Sequence, residues 1–182
     1  GLIALLIIWP SLAISVQTAQ YTSGPQADWY SSTSWLQNNT PDPGLSIYGM
    51  YQRPPDSQKY EYPNTAYGIM SWWDYGHLIE TIGHRYPNAN PFQEGIGSVT
   101  KDIPGSSPFF LAENESTAEK VLADLDLNRS GYMNTKYVMT DVEMAVGKFG
   151  AMAAWSSIPT IRYMANVYQA QGEQFVPVTI YR

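Results

Sequence analysis

The sequence predicts a mixed α+β fold: a single compact domain of interleaved helices and short strands, preceded by the end of a transmembrane helix. Three observations carry this reading. Segments with helical spacing alternate along the chain with short runs rich in β-formers, and no internal repeat is present. The 182 residues are 44% hydrophobic and only 14% charged, enough apolar matter for one core but not two. The chain also opens with an almost continuous apolar run, Leu2 to Val16.

That opening run is shorter than the ~20 residues that span a bilayer. It lacks the basic flank and small-residue cleavage site of a signal peptide, so residues 1–20 read as the end of a transmembrane helix. No basic residue precedes Arg53, which predicts that residues 21–182 lie outside the membrane, on its extracellular face. Asp28 to Asn38 places Trp29, Ser32 and Leu36 on one helical side, and TPDPG then stops the helix. Residues 53–64 are proline-rich and polar, a loop, and AYGIMSWW reads as a buried strand. His77 to Arg85 has helical spacing, followed by a long irregular loop, RYPNANPFQEGIGS.

Ser116 and Glu119 match a capping box, predicting a helix through Leu125. TKYVMTD reads as a strand, DVEMAVGKFGAMAAW as a helix opening on an acid, and EQFVPVTIYR as a terminal strand whose Pro177 favours a sheet edge.

Charge and composition exclude some functions. A net charge of -6 with ten scattered Lys and Arg excludes nucleic-acid binding, and the absence of cysteine excludes disulfides and thiolate metal sites. The 14 tyrosines and 6 tryptophans suit a surface that handles sugars or peptides. His77, Glu80 and His84 could share one helical face and offer a metal two imidazoles and a carboxylate, though a solvated polar face explains them better. Asp124, Asp126 and Asn128 resemble the start of a calcium loop, but the glycine and distal glutamate are out of place. Neither supports a metal site. Asp74 and Glu80 as a glycosidase pair are a weaker idea still.

The segment with the most chemistry is SWWDYG, residues 71–76. Trp72 and Trp73 face opposite ways on a regular strand and converge only if the strand breaks, for which Gly76 is well placed. Two indole N–H donors and the Asp74 carboxylate would then surround one hydroxyl, which accepts from an indole and donates to a carboxylate. The alternative is one core tryptophan, one surface tryptophan and an aspartate that caps a helix. Downstream, Asp141, Met144, Lys148 and Met152 fall on one stripe at 100° per residue. The alternative there is two core methionines fringed by charges.

Trp72-Trp73-Asp74-Tyr75-Gly76 resembles the WWDYG motif of the C-terminal globular domain of the oligosaccharyltransferase catalytic subunit, archaeal type, in a short form. The resemblance is supported by the continuation GHLIETIGHRYPNANPFQ and by the helix stripe that follows a strand. It implies protein N-glycosylation: transfer of a lipid-linked oligosaccharide to the asparagine of Asn-X-Ser/Thr in an acceptor polypeptide, at the cell membrane. The family's WWDYG residues contact the Ser/Thr hydroxyl, which implies that Trp72, Trp73, Asp74, Tyr75 and Gly76 bind acceptor. The second family motif reads Asp-x-x-Lys followed by Met or Ile, or is built on Met and Ile. This chain has Asp141, Met144 and Lys148, with Met where one version has Lys. Those three residues join the expected acceptor site, with Met144 placed to touch the threonine methyl. The resemblance places the family's divalent metal (Mn or Mg), its ligands and the catalytic acids in the transmembrane region, so neither a catalytic residue nor a metal is expected in this chain. A non-catalytic extracellular carbohydrate-binding or surface-layer domain is the rival reading.

Overall fold

The computed structural model describes residues 2–20, 24–56, 58, 60–128, 134–171 and 174–181. Helix α1, Leu2–Ala19, is apolar, and its side chains from Ile7 to Val16 are largely exposed. Among the described residues no helix is long and apolar enough to cross a membrane. Helix α2, Ala27–Asn39, buries Trp29, Thr33 and Leu36 and stops at Thr40, as the TPDPG run predicts.

Strand β1, Tyr67–Met70, is buried along its whole length. It is the middle of a three-stranded parallel sheet, flanked by β2 (Tyr86–Pro87) and β3 (Asn134–Val138). Continuous burial is what a central parallel strand requires, because both of its faces are covered. Helix α3, Gly76–Thr81, returns the chain from β1 to β2. Helices α4 (Ser106–Phe110) and α5 (Glu115–Asn128) precede β3. The chain thus leaves β1 for one neighbour and reaches the other much later. Such an order opens a crevice beyond the carboxyl ends of the strands.

After β3 come α6 (Val142–Val146), α7 (Phe149–Trp155) and an antiparallel hairpin of β4 (Met164–Gln171) and β5 (Gln174–Tyr181). In that hairpin Pro177 pairs with Tyr168. The core joins Trp29 and Leu36 of α2 to Tyr67 and Ile69 of β1, Ile79 of α3, Leu111, Met144 and Met152. Arg85, 5% exposed, ties α2 to the sheet: its guanidinium donates to Thr40 Oγ1, the Tyr67 hydroxyl and the carbonyls of Gln37 and Thr40. A cation on the last carbonyls of a helix also suits the helix dipole.

Several expectations are corrected. The helix after the motif ends at Thr81, and His84 has a φ of 49°, so His77, Glu80 and His84 do not share a helical face. His84 instead bonds Gln37 and Tyr48. Helix α5 begins two residues before the expected capping box: the Asn114 side chain accepts from both the amide and the hydroxyl of Thr117. Asp124, Asp126 and Asn128 lie inside α5, where Asp124 pairs with Lys120, so they form no calcium loop. The rest of that candidate loop falls outside the described residues.

The expected helix over 141–155 is two helices. The Glu143 carbonyl accepts from both Gly147 and Lys148, so the ladder loses step and α6 stops. At Gly147 an added Cβ would lie 1.9 Å from Glu143 Oε1, so the glutamate folds over a position that has no side chain. The four-residue stripe is therefore not one helical stripe. Helix α4, strand β4 and the two-residue β2 were not foreseen, being short or lacking clear periodicity.

Candidate functional site

The WWDYG segment leaves the carboxyl end of β1, and Asp141 follows three residues after the end of neighbouring β3. Sheet pairing therefore brings together two segments almost 70 residues apart. The strand does break, into a 3-10 turn over Trp73–Tyr75 that runs directly into α3. Gly76 is not what breaks it, since its φ of -54° and ψ of -44° are ordinarily helical. Its function is close approach, because a Cβ there would lie 2.4 Å from the Ala89 carbonyl oxygen.

The turn separates the two indoles. Trp72 is 2% exposed and belongs to the core, whereas Trp73 is half-buried and packs on the core's edge. Their ring centroids are 6.3 Å apart at 56°. Asp74 does not cap the helix. Its Oδ2 pairs with the Lys148 ammonium, the two side chains being 30% and 25% exposed. Its Oδ1 is buried and accepts no hydrogen bond. A carboxylate oxygen withdrawn from water without a donor is costly, so it is a ready acceptor for one.

Tyr75 links both halves of the site. Its hydroxyl donates to Asp141 Oδ2 over 2.6 Å, and Lys148 Nζ lies 3.9 Å from its ring centroid. Asp141 also accepts from the Trp29 indole, 2.7 Å to Oδ2, while Oδ1 caps α6 by accepting from the Met144 amide, 2.7 Å. Met144 is 3% exposed, with the Ser71 hydroxyl 4.0 Å from its sulfur. Met152 is fully buried core.

The ionisation follows from these contacts. Burial pushes the Asp141 carboxyl up, but the bonds from Tyr75, Trp29 and Met144 and the Lys148 charge outweigh it and hold the group below its ordinary value. Burial disfavours the Lys148 cation, yet Asp74 and Tyr75 raise it above the usual lysine value. Burial, then the bond to Asp141, raises Tyr75.

Of the expected site residues, the structure brings Tyr75, Asp141, Asp74 and Lys148 into one connected network. It leaves Trp73, Asp74 and Lys148 partly accessible and places Trp72, Tyr75, Gly76 and Met144 beneath them. Sequence reasoning missed Trp29 and Ser71. A signal for Trp29 existed: a tryptophan on the buried face of a helix needs an acceptor for its indole N–H.

The cluster does not fit a divalent metal. The cation beside Asp74 is the lysine ammonium, and both Asp141 oxygens are engaged by N–H or O–H donors. Among the described residues no three His, Asp or Glu side chains gather as a metal would require.

Comparison with known proteins gives relatives of one kind. The chain is 45% identical over 159 residues to dolichyl-phosphooligosaccharide-protein glycotransferase 3 of Archaeoglobus fulgidus, covering 85% of this chain and 17% of that protein. It is 38% identical over 179 residues to the glycotransferase AglB of Haloferax volcanii, covering 87% and 16%. Among solved structures, an A. fulgidus oligosaccharyltransferase tethered to an acceptor peptide with the NVT sequon matches with a TM-score of 0.73 and 39% identity, over 97% of this chain and 21% of that one. An A. fulgidus AglB with an inhibitory peptide and a dolichol-phosphate matches with a TM-score of 0.72, and a further matching structure is a complex with Zn and sulfate. The chain thus spans about a fifth or less of the length of these relatives. The model of the AglB core domain matches residues 26–145, the stretch that holds β1, the WWDYG turn, β3 and Asp141, and the chain belongs to that family.

Proposed function

We propose that this chain is the acceptor-recognition domain of an oligosaccharyltransferase, which transfers a lipid-linked oligosaccharide to the asparagine of Asn-X-Ser/Thr at the outer face of a membrane. In this reading α1 is the end of a transmembrane helix. The donor lipid, the catalytic acids and a divalent metal, Mn or Mg, bind in the remainder of the polypeptide. No step of the chemistry is assigned to the residues described here.

The observation that carries the reading is the state of Asp74, just beyond the carboxyl end of the central strand β1. One oxygen of its carboxylate is paired with Lys148 and the other lacks a donor, beside the half-buried indole of Trp73. A serine or threonine hydroxyl suits that place, donating to the carboxylate and accepting from the indole. A peptide without the hydroxyl leaves the buried oxygen unsatisfied, which is a basis for strong discrimination. Trp72, Tyr75, Gly76, Asp141 and Met144 hold the floor beneath, and Lys148 orients Asp74. At the motif itself a carbohydrate-binding role is less well served, because only one of its two indoles reaches the surface.

The test uses the full-length enzyme and a sequon peptide. Asp74→Ala should lower kcat/KM by roughly fivefold to a hundredfold, the equivalent of ~1–3 kcal/mol for a lost buried partner. Trp73→Phe, which removes one donor to a neutral hydroxyl, should have a smaller effect in the same direction. Near-normal kinetics for both variants would overturn the recognition role.

A further inference from the structure

We infer that Trp29, on α2 and outside both sequence motifs, is a positioning residue that sets where the Lys148 ammonium stands against Asp74. The inference rests on the acceptor-recognition reading above and extends it to a third element of the fold.

The geometry is a stack with a brace. The Trp29 indole lies parallel to the Tyr75 ring, with centroids 3.9 Å apart and planes at 12°. Lys148 Nζ stands 3.9 Å from the same centroid. A stacked indole leaves no room for an ammonium on its own side, so the two occupy opposite faces of Tyr75. The lysine is then held by the electron-rich ring face on one side and by Asp74 on the other. If Tyr75 tilts, the ammonium moves with it.

Asp141 provides the brace. Its Oδ2 receives both the Trp29 N–H at 2.7 Å and the Tyr75 O–H at 2.6 Å, and its Oδ1 starts the helix that leads to Lys148. One carboxylate therefore fixes the indole, the phenol and the entry to α6. Trp29 and Tyr75 are both buried, and the N–H of one and the O–H of the other are already given to Asp141, so neither donor is left for a ligand. Packing alone would need only an apolar ring at position 29. An indole adds one donor, which is spent on the carboxylate that orients the motif's tyrosine.

The test is a double-mutant cycle in full-length enzyme, read as kcat and KM for an Asn-X-Thr peptide, with thermal unfolding of each variant alongside. Trp29→Phe keeps a stacking ring and removes the N–H. It should raise KM and lower kcat/KM by about tenfold, in the range of one lost hydrogen bond to a charged group, with kcat at saturation little changed. Because Trp29 acts through Asp141, Trp29→Phe combined with Asp141→Asn should be no worse than Asp141→Asn alone. A purely structural tryptophan would give multiplied losses, or a fall in stability with KM intact, and either result overturns the inference. Should Trp29→Phe not fold, Tyr75→Phe carries the test, because it keeps the stack and breaks the brace at its other end. It should raise KM in the same way, and an unchanged KM there overturns the inference. Asp74→Asn in the same assay separates the two claims. If it leaves kcat/KM unchanged, the recognition reading fails. If it lowers kcat/KM while Trp29→Phe does not, only the positioning role fails.

Discussion

Asp74 and Asp141 are carboxylates at equivalent places, each just beyond the carboxyl end of one of two adjacent parallel strands. Asp141 receives three hydrogen bonds, from an indole, a phenol and a backbone amide. Asp74 receives one partner, the Lys148 ammonium, and keeps a buried oxygen without any. The difference teaches how the same functional group builds in one place and, on the proposed reading, recognises in another. A carboxylate whose lone pairs are taken fixes its surroundings, whereas one left short of donors has something to offer a ligand.

The comparison breaks most readily at Asp141. Asp141→Ala strands the Trp29 and Tyr75 donors and removes the cap of α6, and should lower stability by about 2–4 kcal/mol, measured by denaturant unfolding. Asp74→Ala in the same measurement should change stability far less, since it removes an oxygen that lacks a partner along with one partly exposed ion pair. Equal losses would erase the distinction. pH sharpens it. The folded Asp141 carboxyl sits below its ordinary value of 3.8, so its contribution is fully present above that pH and is lost as the pH falls through the folded value. Lys148, raised above 10.5, contributes below that pH, and its share is lost as the pH rises through the folded value. Asp141→Asn should therefore flatten the acid limb of the stability profile, leave the Lys148 share of the alkaline limb in place, and alter that limb only through Tyr75, which burial and then the bond to Asp141 raise.

A smaller effect is expected from Lys148→Met. On the proposed reading the ammonium orients Asp74 and does not read the third sequon residue, so kcat/KM should fall about threefold to tenfold, alike for Thr and Ser peptides. A loss confined to Thr peptides would place Lys148 against the methyl instead. The smallest effect belongs to Met144, whose side chain is 3% exposed. One methyl in an apolar contact contributes ~0.8 kcal/mol, about a fourfold preference for Thr over Ser. Met144→Leu should alter that ratio while stability stays within ~1.5 kcal/mol of the parent. An unchanged ratio would make Met144 a core residue only.

The two halves of the site were unequally legible in the sequence. WWDYG is contiguous, so its composition, the buried strand before it and the helix after it could be read together. The partner half depends on what 100° per residue does not report. The ladder loses step where the Glu143 carbonyl takes both Gly147 and Lys148, so α6 ends, Met144 and Met152 are core and Lys148 turns to Asp74. Periodicity found the residues and missed the break. The capping box at Ser116 failed for a local reason, since Asn114 two residues earlier is an equally good cap and wins both Thr117 donors. Trp29 was legible as a buried helix residue, but its acceptor lies 112 residues away, beyond any local pattern. The parallel pairing of β1 with β2 and β3, which brings the two segments of the site together, is likewise a tertiary fact.

The central claim is that Asp74 meets the hydroxyl of the third sequon residue. The most direct measurement is the ratio of kcat/KM for Asn-X-Thr and Asn-X-Val peptides in full-length enzyme, with and without Asp74→Ala. Valine keeps the shape of threonine and replaces the hydroxyl with a methyl. The parent enzyme should prefer Thr strongly, because Val leaves the buried Asp74 oxygen unsatisfied. In Asp74→Ala that preference should collapse toward one, with most of the loss falling on the Thr peptide. A Thr/Val ratio that survives the substitution would contradict the account.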